Sequence, residues 1–80
     1  MNLKIALFGI AREIVGSSSL EVSAPEGQSV QGLLGQLQQQ YPALDLLSSL
    51  AVAVNNEYAA SDAPLSERDE IALIPPVSGG

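Results

Sequence analysis

The sequence predicts an α+β domain in which a strand hairpin precedes one long amphipathic helix and several short strands follow it. Three observations carry that expectation. Leu3, Ile5 and Leu7 alternate with Lys4, Ala6 and Phe8. Val30, Leu33, Leu34, Leu37 and Tyr41 recur at helical spacing. Ile71 and Leu73 alternate with Ala72 and Ile74 immediately before Pro75. The expected order is β-β-α-β-β-β.

The first strand runs over Leu3 to Phe8, and its alternation points Phe8 away from the main apolar face. IAREIVG reads as a single turn or loop, because its apolar residues soon stop at Gly16. After the serine turn at Ser17 to Ser19, Leu20 to Ala24 alternates apolar with polar residues as a half-buried strand does. PEGQ is turn chemistry, and Ser29 is placed to cap the helix that Pro42 ends. Gly32 and Gly35 each weaken that helix by up to about 1 kcal/mol relative to Ala. Leu44 to Leu50 is ambiguous between a short helix and a loop. Ala51 to Val54 reads as a strand, Asn55-Asn56 as a tight turn, and the chain through Tyr58 as a short return strand. The turn-rich ASDAPLSERDE then leads to a last strand over Glu70 to Ile74.

Composition narrows the function. Eighty residues make one small domain with no room for an enclosed catalytic cleft, although 46% hydrophobic content places it among folded chains. The absence of Cys and His removes disulfides, thiolate nucleophiles, imidazole bases and the usual zinc ligands. Glu67, Asp69 and Glu70 lie in one turn-like run and read as a solvated loop, so no metal site is expected. A net charge of −6, with only Lys4, Arg12 and Arg68 positive, argues against nucleic acid and anionic membranes as partners. The acidic surface either keeps the domain soluble or steers it toward a basic protein. The apolar runs fall short of a membrane span, and the start lacks a signal-peptide pattern, so a cytoplasmic location is expected.

The chain ends in IPPVSGG, Ile74 to Gly80. A terminal Gly-Gly arises by chance in roughly 0.5% of chains at ordinary glycine frequency, so the two glycines alone decide little. Their approach is more specific. Pro75 and Pro76 favour an extended backbone, while Ser78, Gly79 and Gly80 keep a narrow cross-section; Val77 is counted with them as a tail residue. The division expected is a folded domain over 1–75 and a flexible tail over 76–80, and the tail can reach about 17 Å when extended.

A hairpin, one long helix and returning strands that feed a tail resemble the ubiquitin-like β-grasp fold. Within it, FGIAREIVG (Phe8 to Gly16), AVAVNNEY (Ala51 to Tyr58), the acidic turn with Asp69 and Glu70, and the IPPVSGG ending resemble the small-subunit family of molybdopterin synthase, the sulfur carriers of molybdenum cofactor biosynthesis. One departure is Arg68, where the family usually has glycine in the turn before the Asp.

The resemblance implies that the Gly80 carboxylate is adenylated with ATP by a partner resembling ubiquitin-activating enzymes, then becomes a thiocarboxylate that donates sulfur for the dithiolene of molybdopterin. It implies a large synthase subunit as second partner, in a heterotetramer of two small and two large subunits. The catalytic acid/base groups are then expected on that subunit, and no permanently bound cofactor is expected on this chain. Two partners require an exposed apolar patch, for which Phe8, Tyr58 and Ile74 are the candidates; each has the alternative of facing the core. Arg12 either positions a partner or pairs with a surface acid. The alternatives are a thiamine-pathway carrier, a family with typically shorter chains lacking the PPV approach, a ubiquitin-like modifier joined to lysines, and an adaptor with an inert tail.

Overall fold

The computed structural model of the chain describes residues 1–46 and 50–75. The tail from Pro76 to Gly80, the expected boundary before it, and part of the ambiguous 44–50 stretch lie outside the described residues.

Alternation at the start of the chain produces the first hairpin as expected. β1 (Asn2–Leu7) buries Leu3, Ile5 and Leu7, and pairs antiparallel with β2 (Ser19–Ser23) in a register setting Leu3 against Val22. The connection differs from the sequence expectation of a turn or loop: Gly9–Val15 is a helix, α1. Seven residues are too few for a helix to be stable alone. Ala11, however, is fully buried, and Ile14 and Val15 pack against the core, so tertiary contacts hold what local propensity does not. Gly16 ends α1 in the left-handed conformation, φ 84°, and its N–H donates to the Arg12 carbonyl at 2.8 Å.

The central helix, α2 (Val30–Gln40), begins as its capping residue predicts: Ser29 Oγ accepts from the Gly32 N–H at 3.1 Å. The Val30 and Gln31 N–H groups, also without helical partners, donate to the carbonyls of Ala63 and Ser61 at 3.0 and 2.8 Å. The long loop before the last strand is thereby tied to the helix start. Val30, Leu33 and Leu37 are buried, with Leu34 and Tyr41 at the margins of the stripe. The ambiguous stretch, as far as it is described, is a 3-10 helix at Pro42–Leu46 that buries Leu44.

β3 (Ala51–Val54) and β4 (Glu57–Tyr58) are joined by Asn55 and Asn56, whose φ values of 55° and 70° are those a type I′ turn requires. β5 (Ile71–Ile74) follows. The turn before it closes without glycine: Asp69 N–H donates to the Ser66 carbonyl at 3.0 Å, Asp69 Oδ2 accepts from Ser66 N–H at 2.8 Å, and Arg68 needs no positive φ.

The five strands form one mixed sheet in the order β2-β1-β5-β3-β4. β5 is central, parallel to β1 and antiparallel to β3. Side chains from one sheet face (Leu3, Ile5, Leu7, Val22, Val52, Ile71 and Leu73) form a single buried cluster with Val30, Leu33 and Leu37 of α2 and with Leu44 and Leu65. Full burial of each large aliphatic side chain contributes roughly 1.5–3 kcal/mol, so this cluster is the main source of stability. A mixed sheet covered on one face by a single long helix is the ubiquitin-like β-grasp architecture that the sequence predicts.

Candidate functional site

The sheet face opposite α2 carries a row of small residues across its centre, with the Lys4–Glu21 pair on the same face toward β2. Because side chains alternate along each strand, the register places Ala6 beside Ala72, Ala72 beside Ala53, and Ala53 beside Tyr58, one row across β1, β5, β3 and β4. Ala6, Ala53 and Ala72 line a depression of about 220 Å³ together with Phe8, Asn56, Glu70 and Ile71. Methyl groups leave the sheet surface low, and the neighbouring aromatic residues stand above it.

The aromatic candidates of the sequence reading lie at this face. Phe8, 53% exposed, extends β1 beyond the last paired residue, and Tyr58, 74% exposed, stands on the edge strand β4. Ile74 pairs with Ala51 at the end of β5 and is half-buried; Ile71 and Leu73 on the other face are buried. Phe8 and Tyr58 are thus exposed aromatic residues near the alanine row, whose depression Asn56 and Glu70 also line.

The strand that lines this face also carries the tail. Pro75, the last described residue, is buried directly after β5. It lies against Gly9, which has a φ of +56°; a Cβ built on Gly9 would stand 3.1 Å from Pro75 Cγ. The parallel pairing of Leu7 with Leu73 brings these two residues together, two positions further along each chain. Pro75 is therefore packed at the end of the sheet, between Ile74 in its own chain and Gly9 across from it.

Arg12 is placed elsewhere. It lines an open groove formed by α1 and the serine turn, with Glu13 and Ser17, and it does not line the alanine depression. The acidic run is structural where it is bonded. Asp69 uses both carboxylate oxygens, Oδ1 accepting from Asn55 Nδ2 at 3.1 Å and Oδ2 from Ser66 N–H, while Glu67 Oε1 accepts from Asn2 N–H at 2.7 Å. Among the described residues no group of three or more carboxylates is arranged to hold a metal ion. None of their helices is long and apolar enough to cross a membrane.

Sequence reasoning missed the alanine row and Gly9. The signal for the row lay in β1, β3 and β5, where Ala occupies the positions between the buried aliphatic residues. Gly9 carried only a weak signal, a glycine directly after an apolar strand, which is where a backbone of positive φ is needed to leave the sheet.

A mixed five-stranded sheet with one long helix on one face, and with its last strand at the centre between β1 and β3, defines a ubiquitin-like β-grasp protein. The chain belongs to the ThiS family, which matches residues 5–80. It is 40% identical over 81 residues to the molybdopterin synthase sulfur carrier subunit of Arabidopsis thaliana, covering 100% of this chain and 84% of the relative. Among solved structures it is similar to the small archaeal modifier protein SAMP1 of Haloferax volcanii, with a TM-score of 0.83, 30% identity and 100% of both chains covered. It is also similar to a chain in the complex of subunits 1 and 2 of the molybdopterin-converting factor from Helicobacter pylori, with a TM-score of 0.67, 26% identity and 100% of both chains covered.

Proposed function

We propose that this chain is the sulfur-carrier small subunit of molybdopterin synthase, a cosubstrate whose reactive group is the carboxylate of Gly80. The observation that carries this reading is the placement of β5: the strand leading into Pro75-Pro76-Val77-Ser78-Gly79-Gly80 is central in the sheet and contributes Ala72 to the row of alanines opposite α2. A central strand is hydrogen-bonded on both sides, so it holds the base of the tail rigidly while partners grip the face beside it.

The chemistry follows from the weakness of a carboxylate as an electrophile. An adenylating partner transfers AMP from ATP to the Gly80 carboxylate and releases pyrophosphate, which creates a good leaving group. A sulfide-level nucleophile then attacks the acyl carbon, and AMP departs with one former carboxylate oxygen. The thiocarboxylate enters the large subunit, whose residues supply acid, base and anion binding; two such transfers complete the dithiolene. This chain contributes reach, a narrow tail and a docking face on which Phe8, Tyr58 and Ile74 contact the partners. Arg12, on its separate groove, serves a contact outside the alanine row. The similarity to the Helicobacter pylori complex supports a large-subunit partner, and the assembly proposed contains two copies of each subunit.

Intact mass spectrometry of the protein from its native cell tests this. The carrier reading expects a fraction in which one oxygen is replaced by sulfur. The 30% identity to an archaeal modifier favours a second reading, conjugation to lysines, and isopeptide-linked adducts without any thiocarboxylate would establish that one instead.

A further inference from the structure

We propose that Gln36 and Ser17 close the β2 edge of the sheet to a second copy of this chain, so that the domain does not pair with itself strand to strand. This is independent of the carrier reading. β2 is the longer of the two edge strands, five residues against the two of β4. An edge strand with unpaired N–H and C=O groups is a template for another chain. In the antiparallel ladder with β1, Met1 and Ala24 exchange two bonds, at 2.7 and 2.8 Å, and Leu7 N–H donates to the Ser18 carbonyl at 2.9 Å. Such pairs alternate along the register, so Val22 and Leu20 also bond to β1. Ser19, Glu21 and Ser23, between them, direct their N–H and C=O groups outward.

The outward groups at both ends of the strand are already bonded. Gln36 Nε2 donates to the Ser23 carbonyl at 2.8 Å. Ser17 Oγ donates to the Ser19 carbonyl at 2.9 Å and accepts from Ser19 N–H at 3.4 Å. The Gln36 amide is itself held, its Oε1 accepting from Gln28 Nε2 at 3.3 Å. Gln28 lies where Gly32 leaves room: a Cβ on Gly32 would stand 2.8 Å from Gln28 Oε1.

A second β2 strand pairing antiparallel about a two-fold axis would set Glu21 opposite Glu21 and Ser19 opposite Ser23. Each Ser19–Ser23 pair needs the Ser19 N–H, the Ser19 carbonyl and the Ser23 carbonyl, and these are the groups that Ser17 and Gln36 occupy. At the centre no side chain caps the Glu21 backbone among the described residues. There two Glu21 side chains of like charge would stand directly opposite, between chains that each carry a net charge of −6. Hydrogen bonds thus obstruct the ends of the edge, and charge obstructs its middle.

Sedimentation equilibrium and amide hydrogen exchange would compare four proteins: the parent chain, Glu21→Thr, Glu21→Thr with Gln36→Met, and Glu21→Thr with both Gln36→Met and Ser17→Ala. Thr removes the charge and suits a strand, and Met replaces the Gln side chain without a donor. The parent should be a monomer. Each cap occurs twice in a two-fold dimer, so the triple variant should associate at least about tenfold more tightly than Glu21→Thr, with the double variant between them. The amides of residues 21 and 23 should become protected as the dimer forms. A folded triple variant that associates no more tightly than Glu21→Thr would overturn the proposal. So would association that leaves those two amides exchanging as in the monomer, or a parent chain that pairs through β2. Should the triple variant melt below the assay temperature, the double variant decides by the same comparison.

Discussion

Asn55 and Asp69 join the β3–β4 turn to the loop before β5: Asn55 Nδ2 donates to Asp69 Oδ1 at 3.1 Å, and Asn55 Oδ1 accepts from the next residue, Glu70 N–H, at 3.0 Å. Asn55 N–H also donates to the Glu70 carbonyl at 2.8 Å. Asn55 thus serves twice, as a left-handed turn residue at φ 55° and as the clamp on the acidic loop.

Asn55→Ala should therefore lose both side-chain bonds and strain the turn. A destabilisation of about 1–2 kcal/mol is expected, with the solvent-exposed bonds contributing the smaller share. For a domain of this size that lowers the melting temperature by roughly 5–15 °C. Asn55→Gly keeps the conformation without strain and should fall less. Equal melting of all three proteins would show that neither the bonds nor the conformation matters.

Ser29→Ala removes the hydroxyl that accepts from the Gly32 N–H at the start of α2. The expected cost is about 1 kcal/mol. Because Val30 and Gln31 remain bonded to the Ala63 and Ser61 carbonyls, the helix should shorten by no more than its first residues. Amide exchange confined to that turn would agree; fast exchange along all of α2 would not.

Tyr58→Ala tests the open face with little disturbance to the fold, since the side chain is 74% exposed. Stability should change by no more than about 0.5 kcal/mol, while calorimetric titration with the large subunit should show a loss of at least about 2 kcal/mol. Unchanged binding would remove Tyr58 from the interface.

Ile74→Lys is the sharper substitution because Ile74 is half-buried beside Ala51. If it contacts a partner, binding weakens by at least about 2 kcal/mol through an unpaired charge in a dry interface. A collapsed melting temperature would instead assign it to the core.

Removal of Gly79 and Gly80 should abolish sulfur transfer and leave the melting temperature unchanged, because two terminal glycines have no side chains to bury. Full activity of a chain ending at Ser78, assayed with the large subunit, would end the carrier reading.

The sequence by itself determined whatever depends on near neighbours. Ser29 and the stripe from Val30 to Tyr41 define α2 because capping and helical periodicity are interactions across a few residues. The Asn55-Asn56 turn is legible for the same reason, and the alternation in β1 already pointed Phe8 off the core face. The character of the tail is local as well, since prolines and glycines shape their own backbone. Tertiary structure alone decided the rest. α1 exists because Ala11 is buried, a contact that seven residues cannot provide for themselves. The row of Ala6, Ala72 and Ala53 needs β5 inserted between β1 and β3, and the seat of Pro75 on Gly9 needs strands from opposite ends of the chain to lie in parallel register. Such pairing is selected by burial of the whole sheet against α2, because a one-residue slip would turn each strand's apolar side chains out to solvent, and no short window of sequence contains that comparison.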